Sequence, residues 1–278
     1  MLKQLIGTLA LVGLVGTGAA QAQVQEKSRL DEILARGKLI VGVTSEAPPF
    51  GFIDDKGELV GFDIDIAKLL AKTLFNGDDS PKRIELVNQG FAARWPNVES
   101  GAVDLGIQVT TILPDRVLRV AFTRQYIDSG IVLIVRKDSP FKRLKDLDDA
   151  KYTAALLTNP QQAERAKKFF PKAKTQIFDS VAAQFTAVKS NRADAAQLDT
   201  PVARWYVKQN PDMRIVEEPL VPPTNNAVFM KMGDFKMWLA IDTLVGEMTG
   251  GSLFNDYTAI YEKWFGEKPL HTKYYFKR

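Results

Sequence analysis

Thr110-Thr111-Ile112-Leu113-Pro114-Asp115-Arg116 concentrates polar chemistry just after an apolar run. Proline suits the first position of a helix, so a helix is predicted from Pro114 with Arg116 in its first turn, close to unpaired backbone N–H groups. A carboxylate arriving there would meet a bidentate guanidinium and the positive helix end together, and the Thr111 hydroxyl could add a third contact. Taken alone, an Arg in a first helical turn is more often an ordinary surface charge. Asp199 follows the apolar segment from Ala193 to Leu198. At the carboxyl end of a parallel strand it would point into the crevice where α/β sheets take ligands and could hold an ammonium group, or it caps the helix beginning at Pro201. Asp63 and Asp65 start a helical repeat, where carboxylates complement the helix dipole, and they read as caps rather than as an acid–base pair.

The elements that must carry these residues alternate. Leu39 to Val43, Ile84 to Val87, Val103 to Ile107 and Ile131 to Val135 read as buried strands, and Leu59 to Phe62 as a short one. Between them Ile66, Leu70 and Leu74 repeat at helical spacing, and Trp95 to Ser100 forms a short helix. A second unit holds a strand at Tyr152 to Leu157, a charged helix from Gln161 to Phe170, a helix from Val181 to Ser190 and the strand before Asp199. A loop at Pro219 to Pro223, an apolar Ala227 to Met230 and helices at Phe235 to Met248 and Tyr257 to Phe265 complete the chain. Strands alternating with helices predict an α/β fold with largely parallel sheets.

The 278 residues carry 37 Lys plus Arg against 33 Asp plus Glu, a net +4, too small a surplus to specify nucleic acid or another anionic partner. Cys is absent and His271 is the only His, which excludes thiol nucleophiles, disulfides, Cys-based zinc sites and paired-His metal sites. No metal, cofactor or catalytic residue is expected. His271 reads as a solvated histidine near the carboxyl end. At the amino end Lys3 precedes an apolar run from Leu5 to Ala20 and the small-x-small site Ala20-Gln21-Ala22, which predicts a signal peptide over residues 1–22, cleaved after Ala22.

Several segments in order carry a resemblance: Leu30 to Val43, Gly61 to Ala67, Gly101 to Asp104, Thr111 to Arg116, Asn191 to Asp194 with Asp199, and Tyr261 to Gly266. Together they resemble the bacterial extracellular solute-binding proteins of the polar amino acid ABC importers, over essentially the whole mature chain. The resemblance implies a two-lobed periplasmic-binding-protein-like α/β fold with two hinge crossings, near Tyr126 to Gly130 and Glu218 to Pro223. Lobe one would comprise residues 23–126 plus 222–278, and lobe two residues 127–221. It implies a monomeric, non-catalytic periplasmic protein that captures a free amino acid and passes it to an ABC permease in the inner membrane. Arg116 would take the α-carboxylate; Thr111, the Val109 carbonyl and Asp199 the ammonium; Phe50 and Phe62 would form apolar walls. A zwitterion shedding its hydration needs an opposite partner for each charge, in agreement with such a division.

Some positions depart from the family's pattern. Leu113 replaces a hydroxyl cap, and Thr158-Asn159-Pro160-Gln161 replaces a Gly-Thr-Thr-like loop in which Pro160 lacks an N–H, so Thr158 or Asn159 would have to supply the missing donor. Arg94 matches a position that reaches the ligand side chain in acidic amino acid binders, or else it makes an ion pair, and Trp95 reads as core. Thr44 stands where such binders often carry a second basic residue. Gln108 would offer an amide near the pocket, with Leu156 and Leu198 making the opposite wall apolar. A polar or acidic ligand is expected. The alternative is a periplasmic enzyme on the same scaffold resembling the cyclohexadienyl dehydratases, acting on prephenate or arogenate.

Overall fold

The computed structural model describes residues 27–158, 160–266, 268 and 269. The cleavage site after Ala22, Asn159 and His271 lie outside the described residues. In chain order the first half runs α1 (Arg29–Arg36), β1 (Leu39–Val43), β2 (Glu46–Ala47), β3 (Gly51–Ile53), β4 (Leu59–Val60), α2 (Phe62–Leu74), β5 (Ile84–Asn88), α3 (Arg94–Ser100) and β6 (Leu105–Gly106). The long strand β7 (Val120–Arg136) leads to β8 (Thr153–Leu157), α4 (Pro160–Phe169), β9 (Lys174–Phe178), α5 (Val181–Lys189), β10 (Ala195–Asp199) and α6 (Thr200–Gln209). A second long strand, β11 (Met213–Lys231), returns to α7 (Phe235–Gly250) and α8 (Phe254–Phe265).

Eight strands form one sheet in the order β5-β1-β6-β11-β7-β10-β8-β9, and β2-β3-β4 form a small one. The outer trios β5-β1-β6 and β10-β8-β9 are parallel, whereas β7 and β11 run antiparallel to each other and to their outer neighbours. The large sheet is therefore mixed, a correction to the largely parallel expectation. Each trio with its helices makes one lobe of a two-lobed α/β fold. The amino-terminal part of β7 pairs with Ala227 to Lys231, and its later part pairs with β10.

Two further expectations are corrected. Pro219 to Pro223 is not a loop but part of β11, because the ladder shifts register between Val216, Val221 and Thr224. Missing proline N–H groups are tolerated where pairing is already interrupted. The helix from Pro114 is only one 3-10 turn, Arg116–Leu118, because β7 begins at Val120 and leaves no room for more.

α2 shows why the core forms where it does. Ile66 and Leu70 are wholly buried one turn apart, while Lys68 is exposed, the outcome of an amphipathic repeat. Phe62, at its start, packs against the rings of Phe50, Tyr126, Tyr257, Tyr261 and Phe265 at centroid distances of 5.2–6.1 Å. Gly61, just before it, has φ +147° and lies so close to the Phe50 carbonyl that a Cβ would sit 2.1 Å from its oxygen.

Candidate functional site

A cleft of about 1110 Å³ opens between the β6, α3 and 3-10 side of the molecule and the β10 and α4 side. Val109, Thr111, Arg116, Arg94, Thr158 and Asp199 all line it. Residues from sequence segments almost 100 positions apart are brought together because β7 and β11 place the carboxyl ends of β6 and β10 across one gap.

Arg116 is held from both sides. Its Nη1 donates to the Thr111 carbonyl at 2.8 Å and its Nη2 to Oε1 of Gln161, on α4, at 2.6 Å. The Gln161 amide also donates to Asp115 at 3.2 Å, so one side chain bridges the cleft. Thr111 is buried and its hydroxyl donates to Asn226 at 3.1 Å, while Val109 sits in left-handed backbone (φ +43°) with its N–H donating to Asp63 at 2.9 Å. Thr158 is exposed and donates to Asp179 at 3.3 Å.

Asp199 occupies the N-cap position of α6 but makes no side-chain cap hydrogen bond. Its carboxylate instead accepts from the Ser129 hydroxyl on β7 at 3.1 Å. Burial pushes this carboxyl above the usual carboxylate range, against the pull of Ser129, Arg165, Arg116 and Arg94. Burial likewise lowers Arg116 and Arg165. Arg94 is pulled down to about 9 by burial and then by the neighbouring Arg116, and stays cationic at neutral pH. Its guanidinium lies over the Trp95 ring at 4.3 Å, makes a long 3.4 Å contact to Thr110, and leaves Nε buried without a partner. Each of these charges has lost water, so a group of opposite sign entering the cleft restores part of its solvation.

Several expected residues are not in the wall. Phe50 and Phe62 are wholly buried in the aromatic cluster around α2, and the aromatic wall is Phe91 and Trp95 instead. The separation follows from α2: its first residue points into the apolar layer between helix and sheet. Gln108 is not at the pocket; its amide is consumed by Gln89, donating to the carbonyl at 2.9 Å and accepting from the side chain at 3.1 Å. Thr44 is buried and accepts from the Glu46 N–H. Asp63 is not a cap but a buried acceptor for Val109 and for the Tyr126 hydroxyl at 2.8 Å. Leu156 belongs to the second lobe's core, and only Leu198 of the two leucines reaches the cleft.

The opposite wall is mixed: Leu157, Val181, Leu198 and Val202 give it an apolar part, and four further side chains a polar one. Gln161, Gln162 and Arg165 of α4 and Gln197 of β10 line it, and of these only Gln161 fell within the loop singled out from the sequence. Their spacing carried the signal: positions 161, 162 and 165 share one helical face, and that face follows directly from the Thr158 loop.

Residues 39–267 match the model of the bacterial extracellular solute-binding proteins, family 3, and the chain belongs to that family. A glutamine-binding protein of Geobacillus stearothermophilus is 35% identical over 190 residues, 68% of this chain and 71% of its own. The crystal structure of an ancestral amino acid-binding protein, described as a precursor of cyclohexadienyl dehydratase, superposes with a TM-score of 0.76 at 32% identity, covering 86% of this chain and 100% of that one. Cyclohexadienyl dehydratase of Pseudomonas aeruginosa is 24% identical over 217 residues, 76% of each chain.

Proposed function

We propose that this family 3 solute-binding protein captures a free amino acid between its lobes in the periplasm and delivers it to an ABC transporter permease in the inner membrane. The observation that carries this reading is the opposition of Arg116 and Asp199 in one cleft, on separate lobes, neither making an ion pair with the other. Arg116 receives the α-carboxylate. Asp199, aided by Ser129, Thr111 and the Val109 carbonyl, receives the ammonium. Arg94 faces the ligand side chain, which is polar or acidic, and Thr158 contributes from the second lobe. Lobe one comprises residues 23–126 and 222–278 and lobe two residues 127–221. The continuity of β7 and β11 through both boundaries supports that division, and the names of the relatives support an amino acid as the cargo. Dividing the two charge partners between lobes makes closure depend on the ligand, because only a bound zwitterion satisfies both.

Asp199, raised by burial, also has one property of a general acid, and this favours the dehydratase reading as the alternative. Three guanidinium groups oppose its protonation, which favours binding over catalysis. Titration calorimetry of the ligand-stripped protein against the amino acids tests the first reading. Arg116→Ala and Asp199→Ala are each expected to weaken binding by more than about 2 kcal/mol, because each strands a desolvated ligand charge. Binding of every amino acid only near ~1 mM, about −4 kcal/mol, refutes a dedicated receptor. Conversion of prephenate or arogenate to aromatic product establishes the enzyme instead.

A further inference from the structure

The charged side chains lining the cleft divide by depth. Glu46, Asp115, Arg119, Glu164, Lys168 and Asp179 stand exposed at the rim. The interior holds Arg94, Arg116, Arg165 and Asp199, three cations against one anion, a net +2. An amino acid with a neutral side chain leaves that excess at +2, a cationic one raises it to +3, and one with a second carboxylate lowers it to +1. No ion pair involves any of the three interior guanidinium groups among the described residues.

Two of the three retain unused donors. Arg94 is 9% exposed and its Nε has no partner. Arg165 donates through Nε to Oε1 of Gln197 at 2.9 Å, while its terminal nitrogens make no hydrogen bond among the described residues. Gln197 is itself fixed, donating to the Gln162 carbonyl at 3.0 Å, and Gln162 accepts from the Leu157 N–H at 2.8 Å and from Gln184 at 3.1 Å. Gln162, Gln184 and Gln197 are all buried. A network of three buried amides thus ends in one guanidinium at the cleft wall, an arrangement that preorganises a charge and serves no surface residue.

We propose that the cleft selects an amino acid bearing a second carboxylate, and that Arg165 on α4 is a specificity-determining residue for it, adding to the Arg94 that the proposed function already places at the ligand side chain. The inference rests on the amino acid reading above, and it separates this chain from its glutamine-binding relative. Guanidinium groups match a carboxylate in geometry as well as charge, whereas an amide offers one acceptor and sets its NH2 against like donors.

Calorimetry of the ligand-stripped protein with L-glutamate, L-aspartate, L-glutamine, L-arginine and glutarate tests it. At least one acidic amino acid is expected to bind ten or more times more tightly than glutamine and arginine, and glutarate, lacking the ammonium that Asp199 requires, to bind at least a hundredfold more weakly than glutamate. In Arg165→Gln, and separately in Arg94→Gln, the ratio of acidic to glutamine affinity is expected to fall at least tenfold, with Arg165→Lys recovering part of it. Circular dichroism melts confirm folding of each variant, and having two variants keeps the test open if one fails. Glutamine or arginine binding as tightly as the acids overturns the inference while leaving the amino acid reading intact. An unchanged ratio in a folded Arg165→Gln overturns the role of Arg165. Failure of every amino acid to bind sinks the parent reading and this inference together.

Discussion

Replacing Asp63 by Asn should change how stability depends on pH. Asp63 is wholly buried at the start of α2, accepts from Tyr126 at 2.8 Å and Val109 at 2.9 Å, and makes no ion pair among the described residues. Burial pushes its carboxyl up to about 7 even though both hydrogen bonds favour the ionised form. The folded protein therefore holds this proton more tightly than the unfolded chain does. The resulting stabilisation is complete below the ordinary carboxylate pKa near ~4 and is lost as pH rises through about 7. At 1.36 kcal/mol per pH unit over the interval between the two pKa values, the loss between pH ~4.5 and ~8 is about 3 kcal/mol. The amide of the Asp63→Asn variant would carry no such dependence. Its oxygen can accept from Val109 and its NH2 can donate to the phenol oxygen, so the fold should survive at a cost of about 1 kcal/mol for the poorer network. At about 2–4 °C per kcal/mol for a chain of this size, the melting temperature of Asp63→Asn minus that of wild type should rise by about 6–12 °C across that range. Scanning calorimetry of both ligand-free proteins in matched buffers measures it. Curves that stay parallel to within about 2 °C would refute the claim that an uncompensated carboxylate is buried there.

Two other perturbations separate core from wall and test a close backbone approach. Phe62→Ala should cost about 3–5 kcal/mol of stability, since five aromatic neighbours lose their central ring, whereas Phe91→Ala should cost under about 1 kcal/mol and act on ligand affinity; chemical denaturation with calorimetry distinguishes them. Gly61→Ala should destabilise by about 1–3 kcal/mol, because it combines φ +147° with a Cβ placed 2.1 Å from the Phe50 carbonyl oxygen, and a melting temperature equal to wild type would contradict that packing.

Most of the elements were legible in the sequence because their signals are local. The strand at Leu39 to Val43 is a continuous apolar run, and α2 repeats its apolar residues at helical spacing. The placement of Arg116 and Asp199 at the cleft was legible for a related reason: each follows a short apolar strand, and such strand ends collect at one edge of a sheet. The continuity of β7 and β11 was hidden because the polar and proline-rich stretches inside them look like turns, and only the partner strand makes them extended. Phe50 and Phe62 were misplaced because an apolar residue beside a cleft motif carries nothing that distinguishes the cleft wall from the layer behind it. Arg165 was hidden in a charged helix that reads as solvent-facing. Of the buried glutamines behind it, only Gln162 is near it in sequence; Gln197 and Gln184 come from β10 and α5, and the sequence does not show that they meet.

The shifted registers of β11 have a mechanical consequence. The β7–β11 ladder that links the two lobes is broken on both sides of Val221 and again between Asn226 and Phe229, while each outer trio keeps its own regular ladder. On the proposed reading, torsion between the lobes concentrates at those breaks rather than in the regular outer ladders. On that reading the irregular stretch acts as a torsion bar, and its stiffness sets how much of the free energy of grasping the guest is spent on bending the protein.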